Sequence, residues 1–151
     1  MQSFSDLPHP QYDSQFYEGV PSKRFVAWLI DTFAISVISG VVTFVLGVLT
    51  LGLGFVFFPA ILFLVSFGYR WLTISGMSAT PGMHVMGIEF RTRDGNRLEP
   101  VTAAVHTGLY LFLVASVIGW VATIISILGT QYNQGLPDLI LGTTAINRPV
   151  D

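Results

Sequence analysis

The chain has 151 residues, of which 52% are hydrophobic and 11% charged, with a net charge of −2. Soluble domains carry roughly 25% charged residues, so the composition points to a small integral membrane protein of single-domain length. The absence of cysteine excludes disulfides, thiolate metal sites and cysteine nucleophiles, and a pI near 5.8 leaves no basic footprint for nucleic acid.

In chain order, residues 1–22 are polar, carry Asp6, Asp13 and Glu18, and read as a flexible tail ahead of the apolar chain. They lack the charge and hydropathy pattern of a cleavable signal peptide. From Phe25 to Tyr69 the sole acid or base is Asp31. A spanning helix needs about 20 apolar residues, so this stretch predicts two helices, over about 25–47 and about 54–74. The glycines between Gly47 and Gly54 supply the turn that joins them. In the loop 75–103, Ile88-Glu-Phe-Arg-Thr-Arg alternates apolar and charged residues and is followed by Asp94-Gly95. That pattern predicts a short β-hairpin with Ile88 and Phe90 on its apolar face. A third helix is predicted over about 104–128; Gly119 near its middle leaves open a full crossing or a bent or re-entrant segment. The expected fold is an all-α, polytopic membrane bundle of about three transmembrane helices with a small cytoplasmic β-hairpin. The expected division is a tail over 1–22, a membrane domain over 23–146 and a C-terminal tail over 147–151.

Lys23, Arg24, Arg70, Arg91, Arg93 and Arg97 flank the helices on one side, and the 47–54 turn is uncharged. The positive-inside rule puts the N-terminus and the 75–103 loop in the cytoplasm. Three full crossings would leave the C-terminal tail outside.

The most informative residue is Asp31. An intramembrane acid costs a few kcal/mol on insertion scales and usually faces a partner or a wet cavity. Arg24 lies seven residues earlier on the same face, too far for an ordinary i, i+4 pair. Arg24 also fits a snorkelling anchor at the headgroup level. Candidate partners for Asp31 are Arg70, His106 or a polar backbone turn. Its role is either a packing lock or a group in an ion, proton or substrate path. Asp138, after Pro137, would cap a short terminal helix or return to a basic residue of the first helix.

Arg24-Phe-Val-Ala-Trp-Leu-Ile-Asp31, Thr80-Pro81-Gly82-Met83 and Asp138-Leu-Ile-Leu-Gly142-Thr143, in that order, resemble the motifs of the RDD family of bacterial membrane proteins. The likeness covers about residues 22–146. Met83 stands where many members have lysine, and His106 stands near an arginine that opens their third helix. The resemblance implies a multi-pass inner-membrane protein with a suggested link to transport, without a substrate. It makes Arg24, Asp31 and Asp138 the candidate functional residues, with Arg70, His106, Thr80, Pro81, Gly82, Gly142 and Thr143 in support.

Other signals are thinner. His9, His84 and His106 lack metal-ligand spacing, so no metal and no cofactor are expected. Thr80-Pro-Gly-Met lacks the spacing of a phosphate loop and reads as a turn. Ser36/Gly40 and Ala115/Gly119 are small-residue pairs that suit helix packing, within the chain or between copies. Trp28, Trp71 and Tyr69 read as interfacial belt residues. No nucleophile motif is present, so no enzyme activity is expected. The functions in play are transport of a ligand or ion, or an accessory role in a larger membrane complex. The expected surroundings are the lipid bilayer and either a homo-oligomer or a larger assembly, without nucleic acid.

Overall fold

The computed structural model describes residues 6–149; of the expected tails, residues 1–5 and 150–151 lie outside the described residues. A 3-10 turn at Ser14–Phe16 leads to Gly19, whose φ of 70° turns the chain into helix α1, Val20–Leu49. At 1.5 Å per residue, α1 is about 45 Å long, well beyond a hydrocarbon core of about 30 Å. Its inward face is Ala27, Asp31, Ile35, Ser39, Thr43 and Gly47, all buried and mostly small or polar. The outward face carries large apolar groups, among them Phe33, Val37, Val41, Phe44 and Val48. A soluble helix shows the opposite arrangement; here bulk apolar groups face lipid and small residues let the backbones approach.

The glycine-rich stretch does form the joining turn. Gly52 takes a φ of 100°, while Phe55 lies on Gly47 and a side chain on Gly54 would strike the Leu46–Gly47 backbone. A 3-10 turn, Leu53–Phe57, then leads into α2, Phe58–Met77. Both helices are long and apolar enough to cross a membrane.

After α2, Ser78 at a φ of 55° stops the helix. Its hydroxyl donates to the Phe90 carbonyl at 2.7 Å and accepts from the Leu98 amide at 2.9 Å. The short α3, Pro81–Val85, and strand β1, Ile88–Thr92, follow. Ile88 and Phe90 are buried as expected, and Gly95, at a φ of 75°, forms the Asp94-Gly95 turn. The sheet is not a local hairpin, however. β1 pairs antiparallel with β2, Thr143–Asn147, with Phe90 opposite Ala145. The arm after the turn instead runs into helix α4, Pro100–Val114.

The expected third helix is broken. α4 ends near Val114 and α5, Val117–Gly129, leaves at 117° to it. Ser116 causes the restart: its hydroxyl caps α5 by accepting from the Gly119 amide at 3.0 Å. A Cβ at Gly119 would collide with the Leu113 carbonyl. The short α6, Leu136–Leu141, follows, ended by Gly142 at a φ of 68°. α6 lies against α4 near its start, and β2 is clasped to the segment before α1. Asn147 donates to the Gln15 and Glu18 carbonyls at 2.7 and 3.0 Å and accepts from Lys23 Nζ at 2.6 Å. The bent α4–α5 pair therefore enters and leaves at one end of the molecule. That end gathers the segment before α1, the loop from Ser78 to Glu99 and β2, while the 50–57 turn lies at the other. Within the described residues, Asn147 thus lies beside the segment before α1.

Candidate functional site

Asp31 is 1% exposed, and it binds the turn after α2 rather than a cation. Its Oδ2 accepts from the Thr80 hydroxyl at 2.5 Å, and its Oδ1 accepts from the Gly82 amide at 2.8 Å and the Tyr69 hydroxyl at 2.9 Å. Each residue of Thr80-Pro81-Gly82 has a physical reason. Thr80 caps α3, accepting from the Met83 amide at 3.2 Å while donating to Asp31. Pro81 sits in the first turn, where a missing N–H costs nothing. Gly82 presses on α1, and a Cβ there would run into the Ala27 carbonyl. Of the candidate partners for Asp31, the polar backbone turn is the one that serves; Arg70 and His106 do not bond to it. Tyr69, expected in an interfacial belt, faces inward as the third donor.

Asp138 is fully buried and collects a different set. Oδ2 accepts from the Gly135 amide at 3.0 Å and lies 2.8 Å from Arg24 Nη1; Oδ1 accepts from His106 Nε2 at 2.7 Å and the Thr143 hydroxyl at 3.0 Å. Burial alone would push this carboxyl up, but Arg24, His106 and the Gly135 amide together outweigh it. They hold Asp138 below the ordinary carboxylate range. Both roles considered for Asp138 are fulfilled, since it lies in the first turn of α6 and meets a basic residue of α1. Gly142 supplies the left-handed end of α6, which turns Thr143 back onto Asp138.

Between the two aspartates, among α1, α2, α4 and α5, lies a cavity of about 570 Å³, a volume within the range of small-molecule sites. Arg24, Asp31, Arg70, His106, Thr107 and Tyr110 form its polar part. Trp28 of α1 and Trp120 of α5 meet at its apolar wall, ring centroids 6.2 Å apart. Met83 also lines it. Arg70 lies over the Tyr110 ring, 4.3 Å from its centroid, and donates to the Tyr110 hydroxyl at 3.4 Å. The Thr107 hydroxyl is buried here without a hydrogen-bond partner, whereas Arg24 Nη1 is held by its ion pair with Asp138.

The sequence reading missed Thr107, Tyr110 and Gln134. Thr107 and Tyr110 lie one and four residues after His106, and the helical period alone would have placed them on neighbouring faces. Gln134 donates to the Thr143 carbonyl at 2.7 Å and the Thr144 hydroxyl at 3.1 Å, a contact without a local sequence signal. Of the small pairs, Gly119 serves the α4–α5 bend, whereas Ser36 and Gly40 face outward from α1. Among the described residues no group of three or more potential metal ligands converges.

Long helices that bury small and polar residues and present large apolar ones define a membrane protein with a polar interior. A family model for the RDD family matches residues 19–142, a span that contains Arg24, Asp31 and Asp138. The chain belongs to the RDD family. No curated protein and no solved structure matches it.

Proposed function

We propose that this protein is a non-catalytic binding component of the bacterial inner membrane that serves transport by holding a ligand in the cavity between α1 and α5. The observation that supports this reading is the cavity itself, inside a largely apolar shell. Its lining includes Arg70, with no carboxylate within 4.0 Å among the described residues, and Thr107, whose buried hydroxyl has no hydrogen-bond partner. A buried polar group left unpaired costs roughly 1–3 kcal/mol, and a ligand with matching groups would remove that cost. The aspartates then act as scaffolding. Asp31 has its oxygens taken by Thr80, Gly82 and Tyr69, which leaves it a poor stepping stone for an ion. Lys23, Arg91, Arg93, Arg97 and Arg148 cluster at the end opposite the uncharged 50–57 turn, which favours a cytoplasmic position for that end.

The test is native mass spectrometry of the full chain after mild extraction from the host membrane. The expected result is a retained small molecule, displaced in an Ile124→Trp variant that fills the cavity wall. A chain that carries no small molecule but travels with larger proteins at fixed ratio would overturn this reading in favour of an accessory subunit. That second reading draws on Ser36 and Gly40, which leave the outer face of α1 open to close approach by another helix; nothing lies within 4 Å of a Cβ placed on Gly40.

A further inference from the structure

Resting on the cavity reading above, we propose that the ligand is a singly charged anionic amphiphile, a long-chain carboxylate. Its head sits at Arg70 and its chain runs past Trp28 and Trp120 toward the bilayer.

The first ground is the charge that Arg70 leaves unanswered. It lies seven residues before the end of α2 at Met77, about 10 Å along the helix. Its guanidinium turns inward onto Tyr110, 4.3 Å from the ring centroid, instead of snorkelling outward. Among the described residues no carboxylate comes within 4.0 Å of it; the ion pairs belong to Arg24, Arg91, Arg97, Arg148 and His106. An arginine at membrane depth is normally paired or faces water, and its planar fork matches a carboxylate with two parallel hydrogen bonds.

The second ground is the state of the other charges that face the cavity. Arg24 is paired with Asp138 at 2.8 Å. Asp31 is occupied by Thr80, Gly82 and Tyr69, so neither of its oxygens competes for Arg70. Arg70 is the lining cation without a carboxylate within 4.0 Å among the described residues. Because the Asp31 charge in the same cavity is met by neutral donors alone, a ligand with one negative charge suits the site better than one with two. Thr107, whose buried hydroxyl has no partner, belongs to the same lining.

The third ground is the shape of the apolar part. From the Trp28–Trp120 pair, the lining continues through Phe25, Ile124 and Leu128, all of which also reach the outer surface of the helices. An apolar chain leaving the cavity stays among apolar groups into lipid. A small anion without a chain would leave that apolar lining without a counterpart.

The experiment uses the full chain in phosphatidylcholine nanodiscs, titrated with 9,10-dibromostearate, whose bromines quench tryptophan fluorescence on contact. The expected result is saturable quenching that survives Trp71→Phe and disappears when Trp28 and Trp120 are both replaced by Phe. Arg70→Gln should weaken the apparent affinity at least tenfold and Arg70→Lys far less. The neutral dibromostearyl alcohol should quench without saturation, and acetate should not displace the stearate. Saturable quenching by the alcohol equal to that by stearate, or an unchanged affinity in a folded Arg70→Gln chain, would overturn the anionic class while leaving the cavity as a binding site. Unsaturable quenching by both probes in the unaltered chain would overturn the cavity reading as well. Should Arg70→Gln fail to fold, the contrast between stearate and alcohol still decides.

Discussion

Asp31 and Asp138 are both buried, yet they are satisfied by opposite chemistries. Asp31, on a membrane helix, takes three neutral donors from Tyr69, Thr80 and Gly82. Asp138, on a short helix outside the long spans, takes Arg24 and His106 in addition to the Gly135 amide and the Thr143 hydroxyl. Arg24 and Asp31 share a face of α1, but Arg24 reaches across to α6 and leaves Asp31 to the α2–α3 turn. Each carboxylate therefore ties a different segment to α1, and the cavity lies between the two attachments. Depth governs which partner suffices: a carboxylate whose hydrogen bonds are completed locally by hydroxyl and amide groups does not need a second buried charge, whose desolvation would cost several kcal/mol.

This contrast can be broken most sharply at Arg24. Arg24→Ala leaves the Asp138 charge buried with its principal cation gone, and such a loss costs about 3–5 kcal/mol; thermal unfolding in mild detergent should show it. The same site sets the acid limit. Because the carboxyl of Asp138 is held below its ordinary value in the fold, its contribution is complete above about pH 4, the unfolded range, and is lost as the pH falls below that. Melting temperature against pH should fall on the acid side in the native chain, and Asp138→Asn should flatten that limb. A smaller effect is expected at the neutral lock. Gly82→Ala drives a methyl into the Ala27 carbonyl, and overpacking of this kind costs about 1–3 kcal/mol, read in the same unfolding experiment without any change in its pH dependence. Smallest is Ser36→Ala on the outer face of α1, expected within about 0.5 kcal/mol in the isolated protein. A much larger effect in the membrane than in detergent would locate a neighbouring helix there.

The first two helices were legible because nearly uncharged apolar runs of membrane length leave few alternatives; Val20–Leu49 extends the expected 25–47 at both ends, and Phe58–Met77 is shifted a few residues along from the expected 54–74. The strand at Ile88–Thr92 was legible from its alternation, but its partner was not. The pairing of Phe90 with Ala145 joins residues far apart in sequence, and local alternation carries no information about a distant register. The break between α4 and α5 lies in unbroken hydropathy, where Ser116 is a single polar residue whose capping role emerges only with the backbone around it. The RDD residues were visible as motifs, but Asp31 with Thr80-Pro81-Gly82 and Arg24 with Asp138 could be paired only after folding. Arg70 shows the same limit from the other side, since its stacking on Tyr110 depends on how α2 packs against α4.

The central claim is that the two aspartates are separate locks on separate segments. Hydrogen exchange on the full chain in nanodiscs, comparing Asp31→Asn with Asp138→Asn, tests it most directly. The account predicts that Asp31→Asn speeds exchange in residues 80–86 while residues 135–147 stay protected, and that Asp138→Asn does the reverse. Faster exchange throughout both segments in either variant, or no change near Thr80 and Gly82 when Asp31 is replaced, would contradict it.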